Sequence, residues 1–347
     1  MMRILLPLIL LCFNLSITAQ IESKYAYSFL TMPQSARVTG LGGLLPTVMD
    51  DDISLALSNP ASLNDKMHNQ LSFSHNFHFA DIQNGYAAYG RKLEKLNINT
   101  HIGIQYINYG DFDYADITGH QDGTTFKAGE TAFILGASKK IAGRFTAGMN
   151  LKGAFSHFES YTSTGIVADF GLNYAKDSSG FVLSFAIRNL GTEISTYNGK
   201  RFGAPLDIQI GISKRLKHLP FRFSVIAHQL QHGNIRYDDP DLKVTTDLFG
   251  EKIKENTFKN AVDNIFRHLV FNGEFLLGKH ENLRIRAGYN HLRRKELSLS
   301  TFRSLAGFSL GFGIKVSYFK LDYGVGYHHL AGAANHITIR TDMGQIF

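Results

Sequence analysis

The sequence predicts an all-β fold, a transmembrane outer-membrane β-barrel of about 14 antiparallel strands with a small N-terminal helical hatch. Three observations carry that expectation. Apolar and polar residues alternate with a period close to two from Leu71 onward. The connections between these runs are alternately short and long. Past the first residues, no apolar stretch approaches the ~20 residues that a membrane helix needs.

In chain order, residues 1–19 are expected to be a cleavable signal peptide. Arg3 is followed by a mostly apolar run from Ile4 to Ile17, and Ala19 is placed for cleavage before Gln20. Cys12, the only cysteine, lies inside that segment, so the mature chain is expected to form no disulfide. Leu10 and Leu11 precede it where a lipoprotein signal has small residues. The 36 Lys and Arg against 29 Asp and Glu are scattered, with the densest basic cluster at Leu292 to Lys295. No basic stripe interleaved with aromatics appears, which argues against nucleic acid as a partner. A phosphate-bearing surface lipid or glycolipid suits the positive excess better.

Residues 20–70 are expected to form a periplasmic hatch. Its centre is "TVMDDDISLALSNPASL", Thr47 to Leu63. Acids favour the positive end of a helix, so Asp50, Asp51 and Asp52 are expected to occupy and cap a first turn. Ile53, Ala56 and Leu57 then make an apolar stripe, and the helix must end near Asn59 because the residue before Pro60 is pushed out of helical geometry. About two turns, roughly 10 Å, remain. So short a piece suits a plug in the periplasmic mouth; the alternative is a loose leader.

Residues 71–347 are expected to form the barrel. In "LSFSHNFHF", Leu71, Phe73, Phe77 and Phe79 share one face, and Ser72, Ser74, Asn76 and His78 the other. Ile98, Ile102, Ile104 and Tyr106 oppose Asn99, His101 and Gln105; Phe145, Met149 and Leu151 oppose Thr146, Asn150 and Lys152. The same grammar continues to the C-terminus. Strands are expected at 71–79, 85–91, 97–108, 131–141, 144–158, 165–175, 180–190, 206–216, 220–230, 265–278, 282–292, 305–316, 318–328 and 335–342. Outer-membrane barrels have short periplasmic turns and longer outer loops. Accordingly, the third strand is followed by a long connection, Tyr109 to Glu130, and the fourth by a tight turn at Ala142 and Gly143. Only the first hairpin, with its short link, departs from the rule. A soluble β-sandwich would also alternate, but has no reason to match loop length to strand parity. The chain ends on Phe347, an aromatic terminus in keeping with such barrels.

Catalytic and metal chemistry find little support. "GFSLG", Gly307 to Gly311, has the letters of a nucleophile elbow, but Ser309 is expected mid-strand rather than at a strand-to-helix turn. His75 and His78 project to opposite faces of a strand, as do His328 and His329, and His228 and His232 would share a face only in a longer strand. Asp50 to Asp52 lack the glycine and closing glutamate of a calcium loop. Gly42 and Gly43 are not followed by a phosphate-loop Lys-Ser/Thr. The expectation is a protein that is not an enzyme and uses no cofactor or metal.

"ARVTGLGGLLPTVMDDDISLALSNPASL", Ala36 to Leu63, resembles the hatch of the fatty-acid-transporter-like barrels and their PorV relatives, through its A-R-x-x-x-L-G-G element, its acids and the triplet Asn59, Pro60 and Ala61. "MHNQLSFSHNFHFADIQNGYAAYG", "GIQYINYGDFD", "FSHFESYTSTGIVADFGLNY", "RNLGTEISTY" and "LKHLPFRFSVIAHQLQ" more closely resemble the PorQ family, outer-membrane components of the type IX secretion system. That resemblance covers nearly the whole mature chain. It implies a scaffold that anchors the surface protein PorZ beside PorU and PorV and supports attachment of cargo to lipopolysaccharide. Ser62 departs from the small residue and glycine that follow the triplet in fatty-acid transporters. The alternative function is a channel for small hydrophobic molecules. A partner would be gripped by the outer connections Gln231 to Asn264 and Tyr109 to Glu130, the first longer than the ~12 to 15 residues usual for structureless loops.

Overall fold

The computed structural model describes residues 25–78, 81–115, 118–197, 199–236, 257–297, 305–329 and 332–345. The signal peptide with Cys12, Phe79, the middle of the Gln231 to Asn264 connection and Phe347 fall outside them. Fourteen antiparallel strands, each paired with its sequence neighbours, form one closed barrel, sealed where the first strand pairs with the last from Gln70↔Asp342 to Phe77↔Asn335. They are β1 (Gln70–Phe77), β2 (Gln83–Leu93), β3 (Ile98–Ala115), β4 (Gln121–Ala142), β5 (Phe145–Phe158), β6 (Tyr161–Lys176), β7 (Phe181–Ser195), β8 (Asp207–Arg215), β9 (Phe221–Ala227), β10 (Leu269–Leu277), β11 (Leu283–Asn290), β12 (Phe308–Val316), β13 (Phe319–His329) and β14 (Gly332–Asp342).

The alternation sorts side chains between two solvents. Leu71, Phe73, Ile102, Leu135, Phe155 and Phe312 lie exposed on the outer face, whereas Ser72, Ser74, Asn150, Lys152 and Asp169 are fully buried inside. A soluble protein distributes these classes the other way. An apolar outer surface with every ladder closed is what hydrocarbon requires, since no backbone donor is left without a partner. The turns after even-numbered strands are short and mark the periplasmic end, and the long connections, after β7, β9 and β11, mark the outer end; the links after β5 and β13, also expected to be long, are two residues each because the strands themselves extend.

Three elements depart from expectation. The connection Tyr109 to Glu130 is largely strand: β3 and β4 stay paired, with irregularities, out to Ala115↔Gln121. They reach 18 and 22 residues, about twice the 9 to 11 that cross a membrane, so a two-stranded ribbon rises above the wall. Phe112 stacks on Phe126 at 5.3 Å and Lys127 approaches Asp111 at 3.9 Å, cross-strand pairs that let the ribbon continue. The outer connection after β9 ends in a helix, α3 (Thr257–Arg267), and another, α4 (His291–Glu296), follows β11. In β7, Arg188 and Asn189 are consecutive yet both buried, because the ladder with β6 shifts there and Asn189 has φ 57°.

The lumen is filled by residues 25–69. Tyr27, Phe29 and Leu30 pack at the outer end against Ile107, Ala132, Ala154 and Val167. A short helix, α1 (Ala36–Gly40), follows, capped by the Ser35 side chain on the Val38 N–H. Nearer the periplasmic end, Ile53, Ala56, Leu57, Leu63 and Met67 pack against Tyr86, Ala88 and Ile134. The helix expected from the acids to Asn59 is a single turn, α2 (Leu55–Ser58). Glycines let hatch and wall meet: a Cβ on Gly324 would collide with the Ala36 carbonyl, and one on Gly171 with the Asn59 side chain.

Candidate functional site

The three acids do not cap the helix as a group. Only Asp52 serves it locally, its carboxylate accepting from the Ser54 N–H at 3.2 Å and hydroxyl at 2.7 Å. All three enter a lattice of charges between hatch and wall. Arg37, on α1 and fully buried, donates to Asp50 at 2.6 and 2.9 Å, to Asp52 at 3.1 Å and to Glu274 of β10 at 2.9 Å. Asp50 also accepts from Arg222 of β9 at 3.1 Å, which pairs in addition with Glu274. Glu274 accepts from Arg286 of β11 at 2.8 Å, and Arg286 reaches Asp322 of β13 at 2.6 Å. Arg340 of β14 completes the circuit, contacting Asp322 at 2.6 Å and Asp52 at 3.2 Å. Asp51 pairs with Lys320 at the periplasmic end.

The bookkeeping of this lattice explains the triplet. The wall contributes four cations, Arg222, Arg286, Lys320 and Arg340, against two acids, Glu274 and Asp322. The hatch contributes three acids against the single cation Arg37. Neither side is neutral alone, and together they balance. Uncompensated charges in a low-dielectric interior are costly, whereas shared guanidinium–carboxylate geometry offsets much of their desolvation. The lattice therefore fixes the hatch in one seat.

A second set of polar contacts holds the other side. Asn59 accepts from the Ala61 N–H at 2.9 Å, which starts the 3-10 turn of Pro60 and Ala61, and donates to Asn173 at 3.0 Å and Ser184 at 2.7 Å. Ser62 accepts from Asn173 at 3.3 Å and donates to the Pro46 carbonyl at 3.4 Å. Lys152 bridges to Asp169 at 2.8 Å, and Asn150 joins Asp169 at 3.1 Å to the Ala56 carbonyl at 2.9 Å. Asp50, Asp51, Asp52 and Asn59 thus all meet the wall, at partners 114 to 288 positions on that no local pattern in the sequence could assign.

Ser309 is buried in the middle of the barrel wall, its hydroxyl accepting from the Gly42 N–H at 2.8 Å, so the letters of the elbow serve hatch seating. His75 meets the Tyr106 hydroxyl at 2.8 Å, and His232 the Tyr25 hydroxyl at 3.3 Å. Among the described residues no group of three or more His, Cys, Asp or Glu is arranged to hold a metal ion. An open vestibule of about 370 Å³ lies at the outer end, lined in part by Tyr25, His228 and Arg293.

Fold and lumen together define a class, the hatch-filled transmembrane β-barrels of outer-membrane type. Among solved structures the fold is shared with the TodX monoaromatic hydrocarbon channel deltaS2 mutant, at TM-score 0.52 and 12% identity over 89% of this chain and 97% of that one. It is shared likewise with the CymD monoaromatic hydrocarbon channel, at TM-score 0.50 and 13% identity over 91% and 97%. Comparison with protein-family signatures and with curated proteins finds no match.

Proposed function

We propose that the chain is a closed scaffold in the outer membrane, doing for its cell what PorQ proteins do: anchoring PorZ at the surface beside PorU and PorV and so supporting cargo attachment to lipopolysaccharide. The observation that supports this reading is the sealed interior. The fourteen strands close on themselves, the shift in the β6–β7 ladder between Ala168 and Phe170 is bridged by the Asn189 N–H donating to Asp169 at 2.8 Å, and the lumen is occupied by a hatch held by buried ion pairs. Such a barrel is a rigid base for the β3–β4 ribbon, which rises toward a partner. The segments from Met67 to Gln231 that resemble PorQ support the specific partner.

The test is affinity capture from detergent extracts followed by mass spectrometry, on the intact chain and on a deletion of 234–260. The scaffold reading expects PorZ, PorU and PorV with the intact protein, and release of PorZ from the surface by the deletion while the barrel stays inserted. Retention of PorZ by the deleted form would count against that connection as the grip.

A second reading is a channel for small hydrophobic molecules, and the fold shared with TodX and CymD supports it more directly than it supports the scaffold. Uptake of a monoaromatic hydrocarbon that is lost on Asp51→Ala or Asn59→Ala would favour the channel. Unchanged uptake with lost surface attachment would favour the scaffold.

A further inference from the structure

The helix α3 carries Phe258, Val262, Ile265 and Phe266 at intervals of four, three and one, which sets them along one stripe. All four are exposed, Phe258 to 78%. The stripe does not turn into the lumen. Phe266 lies 6.4 Å from the ring of Phe271, whose side chain points outward from β10 between the inward Val270 and Asn272, and 5.8 Å from His291. Tyr289 and Phe308 continue the same outer surface, 4.9 Å apart. The apolar face of α3 is therefore continuous with the lipid-facing wall at its outer rim, the level at which aromatic residues collect at a membrane surface.

The side of the helix away from the stripe is charged. Asp263 is shared by Arg267 at 2.8 Å, Lys295 at 3.3 Å, His291 at 3.4 Å and Arg236 at 3.7 Å. An apolar stripe beside a charged face is the pattern of a helix lying in an interface rather than on a protein core.

We propose that α3 is an interfacial anchor whose apolar stripe enters the outer leaflet. Continuity with the lipid-facing wall fixes the occupant as lipid. The inference holds under either reading of the barrel's function.

The chain contains no tryptophan, so Phe258→Trp introduces a single reporter into the full-length protein. In nanodiscs of phosphatidylcholine with brominated acyl chains, its emission is expected to be blue-shifted and strongly quenched relative to unbrominated discs. Unquenched, water-like emission would overturn the anchor and point to a protein partner on the stripe.

Discussion

Replacing Arg37 by methionine should unseat the hatch while sparing the barrel. The guanidinium is fully buried and binds three carboxylates, and removing one partner of a buried ion pair typically costs about 3 to 5 kcal/mol. Here each carboxylate keeps another cation: Asp50 keeps Arg222, Asp52 keeps Arg340, and Glu274 keeps Arg222 and Arg286. The lower figure is therefore the better one, and ~3 kcal/mol shifts the seated-to-released equilibrium by about two orders of magnitude. The assay is single-channel recording in planar bilayers, with heat-modifiable gel migration to show that the barrel is closed. Wild-type protein should conduct rarely, and Arg37→Met should raise the frequency of open events about a hundredfold. Adding Asp50→Asn restores the charge balance and should recover part of that increase, a coupling that a double-mutant cycle isolates. A folded Arg37→Met protein that opens no more often than wild type would refute the view that the lattice holds the hatch.

Two further expectations follow from the same geometry. Asn59→Ala leaves the Ala61 N–H without its acceptor and removes the donor to Asn173 and Ser184, so it should cost about 1 to 3 kcal/mol of hatch stability; faster amide exchange confined to 61–63 would show it, and unchanged exchange would contradict it. Burial pushes the Asp263 carboxyl up, but the hydrogen bond and charge of Arg267, with His291 and Lys295, outweigh it and hold the group down at about 2. A lowered folded-state value means that the clamp is fully present above the usual carboxylate value of about 4 and is lost as pH falls through about 2. A spin label at Val262→Cys should keep constant mobility from neutral pH to about 4 and loosen below it; loosening well above pH 4 would refute the clamp.

Much of the architecture was legible because alternation is a local property. Leu71, Phe73 and Ile102 face lipid because of their parity alone, and the length of the connections after β7, β9 and β11 distinguished the two ends, whereas the expected long links after β5 and β13 are two residues each. The ribbon from Asp111 to Lys127 was not legible as strand, because acids and glycines there read as loop and only the cross-strand pairs, such as Phe112 with Phe126, reveal what they do. The acids of the hatch misled for a related reason. Three carboxylates before a short apolar run satisfy every local criterion for a helix start, and a capping preference is worth only about 1 kcal/mol. A buried Arg37 and a positive wall outcompete it.

By itself, then, the sequence determined the number of strands, which faces meet lipid and which end has the longer connections, since each depends on residues a few positions apart. Tertiary structure alone decided what fills the lumen and what the acid triplet is for. Arg222, Glu274, Lys320 and Arg340 reach Asp50, Asp51, Asp52 and Arg37 only once the barrel has closed, and long-range Coulomb partners leave no periodic trace in the chain that carries them.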